Sequence, residues 1–229
     1  FIEQAQRPGV LKKLLQIGKD LQLGKKSGLI RYQDVSGNFP SADERLVGWG
    51  PGDTAQLSIG QGKVNVTPLQ VAMYTSAIAN GGTVYKPRIA VRVEPVDPAS
   101  AIQATNFPAK VPISDLRVSR RNLRIIHEVM RADVHDPDGT GAAAWTEGLT
   151  IGGKTGTAEV EKNGEIVDKN TWFTSFAPVD SPRWVVVVMV ESGDFGGTTC
   201  APIAGMIYKK IVELYGTGQP RTASVARNI

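Results

Sequence analysis

Cysteine is nearly absent from this chain. Among 229 residues only Cys200 carries a thiol, so a disulfide framework within the chain is excluded. One cysteine fixes no compartment, because many exported bacterial proteins also lack disulfides. Its neighbours Thr199 and Ala201 supply no base, so Cys200 reads as a small half-buried residue rather than a reactive thiol. Histidine is as scarce. His127 and His135 are the only two, with no third ligand at metal spacing, and neither a metal nor a cofactor is expected. His127 reads as an ordinary half-buried imidazole, and His135-Asp136-Pro137-Asp138-Gly139 as a turn.

Long apolar runs are missing too. No stretch approaches the roughly 20 residues of a membrane-crossing helix, and Phe1-Ile2-Glu3-Gln4 has no basic leader character. The opening residues read as the middle of a domain, with targeting information expected elsewhere. A dominant charge is also lacking. Lysine and arginine number 26 against 22 acidic residues, a net +4 spread along the chain, which argues against nucleic acid as a partner. Asp194-Phe195-Gly196 matches a kinase magnesium motif, but no His-Arg-Asp loop or glycine-rich loop with a strand lysine accompanies it. Gly60-Gln61-Gly62-Lys63 and Gly196-Gly197 lack phosphate-loop spacing and read as turns.

What is present suits a globular domain: 41% hydrophobic and 21% charged residues, enough for a proper core. A short opening helix is closed by Pro8-Gly9. A helix over about 10–22 follows, with Val10, Leu11, Leu14, Leu15 and Gly18 inward. Residues 34–53 read as irregular loop. The next helix is well punctuated: Thr67 caps it, Pro68 opens it and Gly81-Gly82 ends it. Its apolar residues lie nearly all round, which predicts burial. Residues 84–93 read as extended and 94–111 as loop. Ser119 opens an amphipathic helix with Leu123, Ile126, Met130 and Val134 inward.

From Thr150 the pattern turns to strands. The first runs from Ile151 to Val160, Asn163-Gly164 marks a hairpin turn, and the return passes through Trp172 to Phe176. Residues 184–190 form an unbroken apolar run, predicted to be central and covered on both faces. Pro202 is expected to start a last helix with Ile203, Met206, Ile207, Ile211 and Leu214 inward, ended by Gly216; residues 217–229 read as a disordered tail. The order gives an α+β fold, an antiparallel sheet flanked by helices.

Lys154-Thr155-Gly156-Thr157 lies on the first of these strands. Alternation sends Thr155 and Thr157 to one face and Lys154 to the other. Gly156 lets another backbone come close. If the strand is an edge, its free N–H and C=O groups can pair with an extended peptide. Two hydroxyls and an ammonium nearby suit a peptide ending in a carboxylate.

Lys-Thr-Gly is also one of three signatures of penicillin-binding proteins and class A β-lactamases. Ser58-Ile59-Gly60-Gln61-Gly62 with Val66-Thr67-Pro68-Leu69-Gln70 is similar to the segment after the second signature in class B penicillin-binding proteins. Gly52-Asp53-Thr54, Asn80-Gly81-Gly82, Lys86-Pro87, Trp172-Phe173-Thr174-Ser175-Phe176-Ala177-Pro178 and Ala201-Pro202-Ile203 fit the same pattern, in order. Ser36-Gly37-Asn38-Phe39-Pro40 most resembles the elongation-specific penicillin-binding protein 2 type. The resemblance covers about residues 1–216.

It implies the C-terminal part of a transpeptidase domain that crosslinks D-alanyl-D-alanine stem peptides by serine acyl transfer and is acylated by β-lactams. Lys154, Thr155 and Gly156 would belong to the catalytic motif. Thr155 and Thr157 would hold the substrate carboxylate, and the Thr157 N–H would give half of an oxyanion hole. Implied partners are peptidoglycan stem peptides, β-lactam antibiotics and cell-wall elongation proteins, including a membrane glycosyltransferase. The implied location is the extracytoplasmic face of the cell membrane. The family's Ser-x-x-Lys has no match here, and the only literal Ser-x-Asn, Ser36-Gly37-Asn38, falls too late in family order and reads as a loop. The N-terminal portion of the fold, two strands beside residues 184–190 included, is therefore expected to be missing. The chain alone is expected to be inactive. A β-lactamase, a carboxypeptidase and a non-catalytic penicillin-fold binding or sensor module are the competing readings.

Overall fold

The computed structural model describes residues 2–5, 7, 9–29, 33–41, 48–97 and 101–217. The expected tail from 218 onward and Pro8 lie outside them. The chain divides into two compact units, Phe1–Leu123 and Arg124–Ile229.

The first unit holds α1 (Ile2–Ala5), α2 (Val10–Asp20), α3 (Pro51–Ser58) and α4 (Pro68–Asn80). It also has four short strands: β1 (Thr83–Tyr85), β2 (Arg92–Val93), β3 (Thr105–Asn106) and β4 (Pro112–Asp115). The inward face of α2 is as expected, with Leu15 and Gly18 fully buried. A side chain at Gly18 would overlap the Phe39 ring. The Thr67 hydroxyl accepts from the Gln70 N–H at 3.1 Å, and the Gln70 side chain returns the bond to Thr67 N–H at 2.8 Å. This reciprocal cap fixes the start of α4, and Gly81 at φ 98° ends it. The Gln70 amide also donates to the carbonyls of Lys25 and Ser36 at 2.9 and 2.8 Å. One buried amide thus ties two loops to α4. Met73, Ala77, Val84 and Leu116 form the local core.

Ser36-Gly37-Asn38 is a loop, as read, and is bridged to Asn65 by paired backbone bonds of 2.8 Å. The irregular stretch ends sooner than expected, because α3 begins at Pro51. Asp53 there accepts from the Gly50 N–H at 2.8 Å and pairs with Lys63 at 2.9 Å. These contacts hold its carboxyl below the usual carboxylate range. Residues 84–93 are two strands rather than one, interrupted after Tyr85, and the loop 94–111 contains β3, the antiparallel partner of β2. Pro87 cannot donate to a ladder, which favours the break.

The second unit is built on α5 (Arg120–His135), the one-turn 3-10 helix η1 (Ala142–Ala144), β5 (Gly152–Lys162), β6 (Glu165–Ala177), β7 (Trp184–Glu191) and α6 (Gly196–Tyr215). α5 itself begins four residues before this unit does. Its strands form an antiparallel meander of order β5-β6-β7, turned at Asn163 and Gly164, both with positive φ. α6 packs along the sheet. Phe173, Val186, Val188, Cys200, Ala204 and Tyr208 make up much of this core.

Four expectations are corrected here. The apolar strand β7 is not central, since among the described residues β6 lies between β5 and β7. Only one face of β7 is well covered: Val186 and Val188 are buried, whereas Val185, Val187 and Met189 are half-buried. Pro202 does not start the last helix but lies inside it, and Gly196-Gly197 is its first turn rather than a loop. Lacking an N–H, Pro202 leaves the Thr198 carbonyl without that helical partner. The most buried face of α6 is Ala201, Ala204, Gly205 and Tyr208; of the predicted set Ile203 and Ile211 do pack against this core, while Met206, Ile207 and Leu214 are exposed. Small residues win because the helix sits tight on η1: a side chain at Gly205 would press on the Ala143 carbonyl at 2.9 Å. On α5, Ile126 is exposed and His127 turns inward, its ring 4.9 Å from that of Phe176. Leu123, His127, Met130 and Val134 keep the 3.6-residue period better than the all-apolar set.

Buried hydroxyls of the second unit are paired. Tyr208 Oη–H donates to Ser175 Oγ at 3.0 Å, and Ser175 donates to the Val186 carbonyl at 3.0 Å. Burial drives the Tyr208 phenol far above its ordinary value. Thr171 likewise donates to the Val190 carbonyl at 3.1 Å and accepts from the Cys200 thiol at 3.4 Å. His135 Nε2 accepts the Ile151 N–H at 3.1 Å, a bond available only to the neutral ring. Burial first, then the Arg131 charge, hold this imidazole below its usual value, with Asp136 opposing.

Two predictions follow from this packing. Tyr208→Phe removes one buried donor and should cost about 1 kcal/mol in urea unfolding, whereas Ser175→Ala strands both neighbours and should cost about 1–3 kcal/mol. Equal losses would contradict the relay. For His135 the folded state binds the proton more weakly than the unfolded state, so its contribution is complete above about pH 6.5 and lost as pH falls through the lower folded value. The thermal midpoint should therefore drop between about pH 7 and 5 more steeply in the parent than in His135→Asn. Parallel pH profiles would dismiss that role.

Candidate functional site

β5 is an edge strand: among the described residues it pairs with β6 alone. Lys154, Thr155, Gly156 and Thr157 stand opposite Thr174, Phe173, Trp172 and Thr171. The expected alternation is present. Thr155 and Thr157 share the α6 side of the sheet with buried Phe173 and Thr171, yet both are only half-buried, near the margin. Lys154 lies on the other face and is exposed, and its Nζ donates to the Thr155 carbonyl at 2.9 Å.

From that bond, made by an exposed ammonium, we infer which way the backbone points. The Thr155 carbonyl faces the unpaired side, and antiparallel geometry sends both backbone groups of every second residue the same way. The N–H and C=O of Thr157 therefore also face the open side. An extended chain laid there would meet a regular donor and acceptor row.

Beside this edge is a concavity of about 480 Å³, lined by Thr140, Thr155, Gly156, Thr157, Phe195 and Gly197, among others. The first turn of α6 forms one wall, bringing backbone N–H groups and the positive end of the helix close to the strand. Two glycines make that wall possible. A side chain at Gly196 would overlap the Trp172 carbonyl and crowd Gly156, and one at Gly197 would overlap the Thr140 carbonyl. A Cβ at Gly156 itself would make only an ordinary 3.5 Å contact with Trp172. Within this chain, then, the glycine that permits close backbone approach is Gly196, not Gly156. Lys169 Nζ stands 5.2 Å over the Phe195 ring at the rim.

Sequence reading missed two groups at this site. Thr140 Oγ lies 2.7 Å from Thr155 Oγ and donates to Asp133 Oδ1 at 2.7 Å. The other carboxylate oxygen of Asp133 is buried and has no hydrogen-bond partner. The turn Asp138-Gly139-Thr140-Gly141 wraps this aspartate, with the Gly141 N–H donating to the Asp133 carbonyl at 2.9 Å. Its glycines were the one available signal, and they were legible only as a turn. Among the described residues no cluster of three or more metal-ligating side chains occurs, and no helix is long and apolar enough to cross a membrane.

Residues 4–213 match the penicillin binding protein transpeptidase domain family. Stage V sporulation protein D of Bacillus subtilis is 35% identical over 99% of this chain and 34% of its own length. The peptidoglycan D,D-transpeptidase MrdA of Haemophilus influenzae is 29% identical over 86% of this chain and 31% of its own. The chain thus spans about a third of the length of these relatives. Penicillin binding protein 3 of Mycobacterium tuberculosis, solved with ampicillin, superposes with a TM-score of 0.73 at 26% identity, over 90% of this chain and 47% of that one. Its α+β arrangement agrees with the one described above. Because the family match runs through both compact units and takes in the open strand with its concavity, the chain belongs to the penicillin-binding protein transpeptidase domain family.

Proposed function

We propose that this chain is the substrate-gripping part of a peptidoglycan D,D-transpeptidase that β-lactams acylate. The observation carrying this reading is the outward row on β5, where the Thr155 carbonyl and the Thr157 N–H share one unpaired side. A D-alanyl-D-alanine stem would lie antiparallel to β5, with its terminal carboxylate at the threonines. The scissile carbonyl oxygen would take the Thr157 N–H, which gains strength as that oxygen becomes negative. A serine hydroxyl would attack this carbonyl, forming an ester and breaking the amide bond, with D-alanine leaving as its protonated amine. The amine of a neighbouring stem would then displace the serine and restore an amide.

That serine is not assigned within these residues, for no serine here has lysine three positions on. Lys154 would sit near the Ser-x-Asn serine and help organise proton transfer. Residues 1–216 would form one part of the domain, with 217–229 as an appended tail. Stem peptides and β-lactams are the proposed ligands. Elongation proteins, a membrane glycosyltransferase among them, are the proposed partners, at the extracytoplasmic face of the membrane. A non-catalytic sensor module is the alternative reading.

Fluorescent penicillin separates the two. The natural protein carrying this chain should form a stable adduct, and the 229 residues alone should take no label. A natural protein that stays unlabelled would favour the sensor. In the labelled protein, Thr157→Ala should slow acylation by a carboxylate-bearing β-lactam about tenfold or more, the loss of a charge-assisted bond. An unchanged rate would remove Thr157 from the site.

A further inference from the structure

Strand β5 is held from behind by the last turns of α5. A side chain at Gly152 would meet Met130 at 3.4 Å and one at Gly153 would crowd Val134 at 2.9 Å, so helix and strand lie close together there. Apolar contacts of this kind fix a separation better than a position along the strand. One directional bond adds the second constraint. The Ile151 N–H, on the residue just before β5, donates to His135 Nε2 at 3.1 Å. A backbone N–H can only donate, so this nitrogen presents a lone pair and the ring is neutral, with its hydrogen on Nδ1. Ile151 is fully buried, which leaves its N–H no ready substitute in water.

The imidazolium has no lone pair to offer. Uptake of a proton therefore ends this bond and leaves a buried donor facing a cation, three residues before Lys154. Burial first, then the Arg131 charge, favour the neutral ring, while Asp136 and the Ile151 backbone oppose. The return from α5 to β5, residues 139–153, adds only Glu147, which is exposed. The β6 residues opposite Gly152 and Gly153, Phe176 and Ser175, carry no charge. The helix end that bears His135 also bears Asp133, which accepts from Thr140 at the wall of the concavity. Loosening the strand from the helix is thus felt on two sides of the site.

We propose that His135 is a positioning residue for acylation: as a neutral acceptor it sets where β5 lies along α5, and on protonation it lets the strand go. The site thereby carries its own acid-sensitive hold, apart from the groups that do the chemistry. This rests on the acylation reading given above and adds a regulation of the same strand.

The test follows acylation of the natural protein by a fluorescent penicillin from about pH 8 to 5. His135→Gln keeps a neutral acceptor that cannot take a proton, so it should retain the parent rate near pH 7.5. Taking the parent-to-glutamine rate ratio at each pH cancels the titration of the nucleophile's own machinery and of the penicillin. That ratio should fall about threefold or more toward pH 5, the worth of one neutral hydrogen bond. His135→Leu, with no acceptor, should be slow across the range and lack this acid limb, whereas a merely structural role predicts parallel profiles. Hydrogen exchange at the Ile151 amide, corrected for the intrinsic rate, should lose protection in the parent over the same interval. A parent-to-glutamine ratio that stays level overturns the inference. So does unchanged protection at Ile151, which serves even where the variants do not fold. A natural protein that takes no penicillin at any pH instead overturns the underlying reading, and this inference falls with it.

Discussion

The unpaired side of β5 is the constraint on which the site depends. A sheet margin presents backbone donors and acceptors that must find partners in water or in a ligand, and here the strand keeps that margin beside a concavity. The Lys154 ammonium takes the Thr155 carbonyl at 2.9 Å, a bond it can exchange for another acceptor without disturbing the pairing with β6. The rest of the second unit holds the strand still. Gly152 and Gly153 let α5 close on its start, because a side chain at Gly153 would crowd Val134 at 2.9 Å and one at Gly152 would meet Met130 at 3.4 Å. Gly196 does the same for the first turn of α6.

Rigidity behind the margin comes from satisfied polar groups as much as from apolar packing. Thr171 and Ser175 lie on the buried face of β6, and each bonds to a β7 carbonyl while accepting from a side chain of α6. Helix and sheet are thereby registered at two points along β6. An apolar core of the same volume would tolerate sliding more readily, whereas a paired buried hydroxyl that slips loses its partner in a low-dielectric setting. Between them these two contacts fix where the wall formed by Phe195 and Gly197 stands relative to Thr157.

Local chemistry made much of the fold legible. Thr67, Pro68, Gln70 and Gly81 announce α4 because caps act over a few residues, and Asn163-Gly164 announces the β5–β6 turn because positive φ is demanded there. Lys154-Thr155-Gly156-Thr157 was readable as a strand with both threonines on one face, because alternation has a period of two. The failures have a common cause. The inward face of α6 follows close approach rather than side-chain size, so Ala201, Ala204 and Gly205 outrank Met206 and Leu214. The place of β7 depends on which strands lie beside it, something an apolar run cannot encode. Asp133 and Thr140 meet Thr155 across gaps of many residues, and only the folded turn brings them together.

Amide hydrogen exchange at Thr157, measured in the natural protein before and after acylation by a penicillin, tests the central claim most directly. If the open side of β5 receives the ligand and its oxyanion, exchange of this N–H should slow sharply on acylation, while amides directed toward β6 change little. Exchange at Thr157 that is the same in the free and acylated protein would contradict the account.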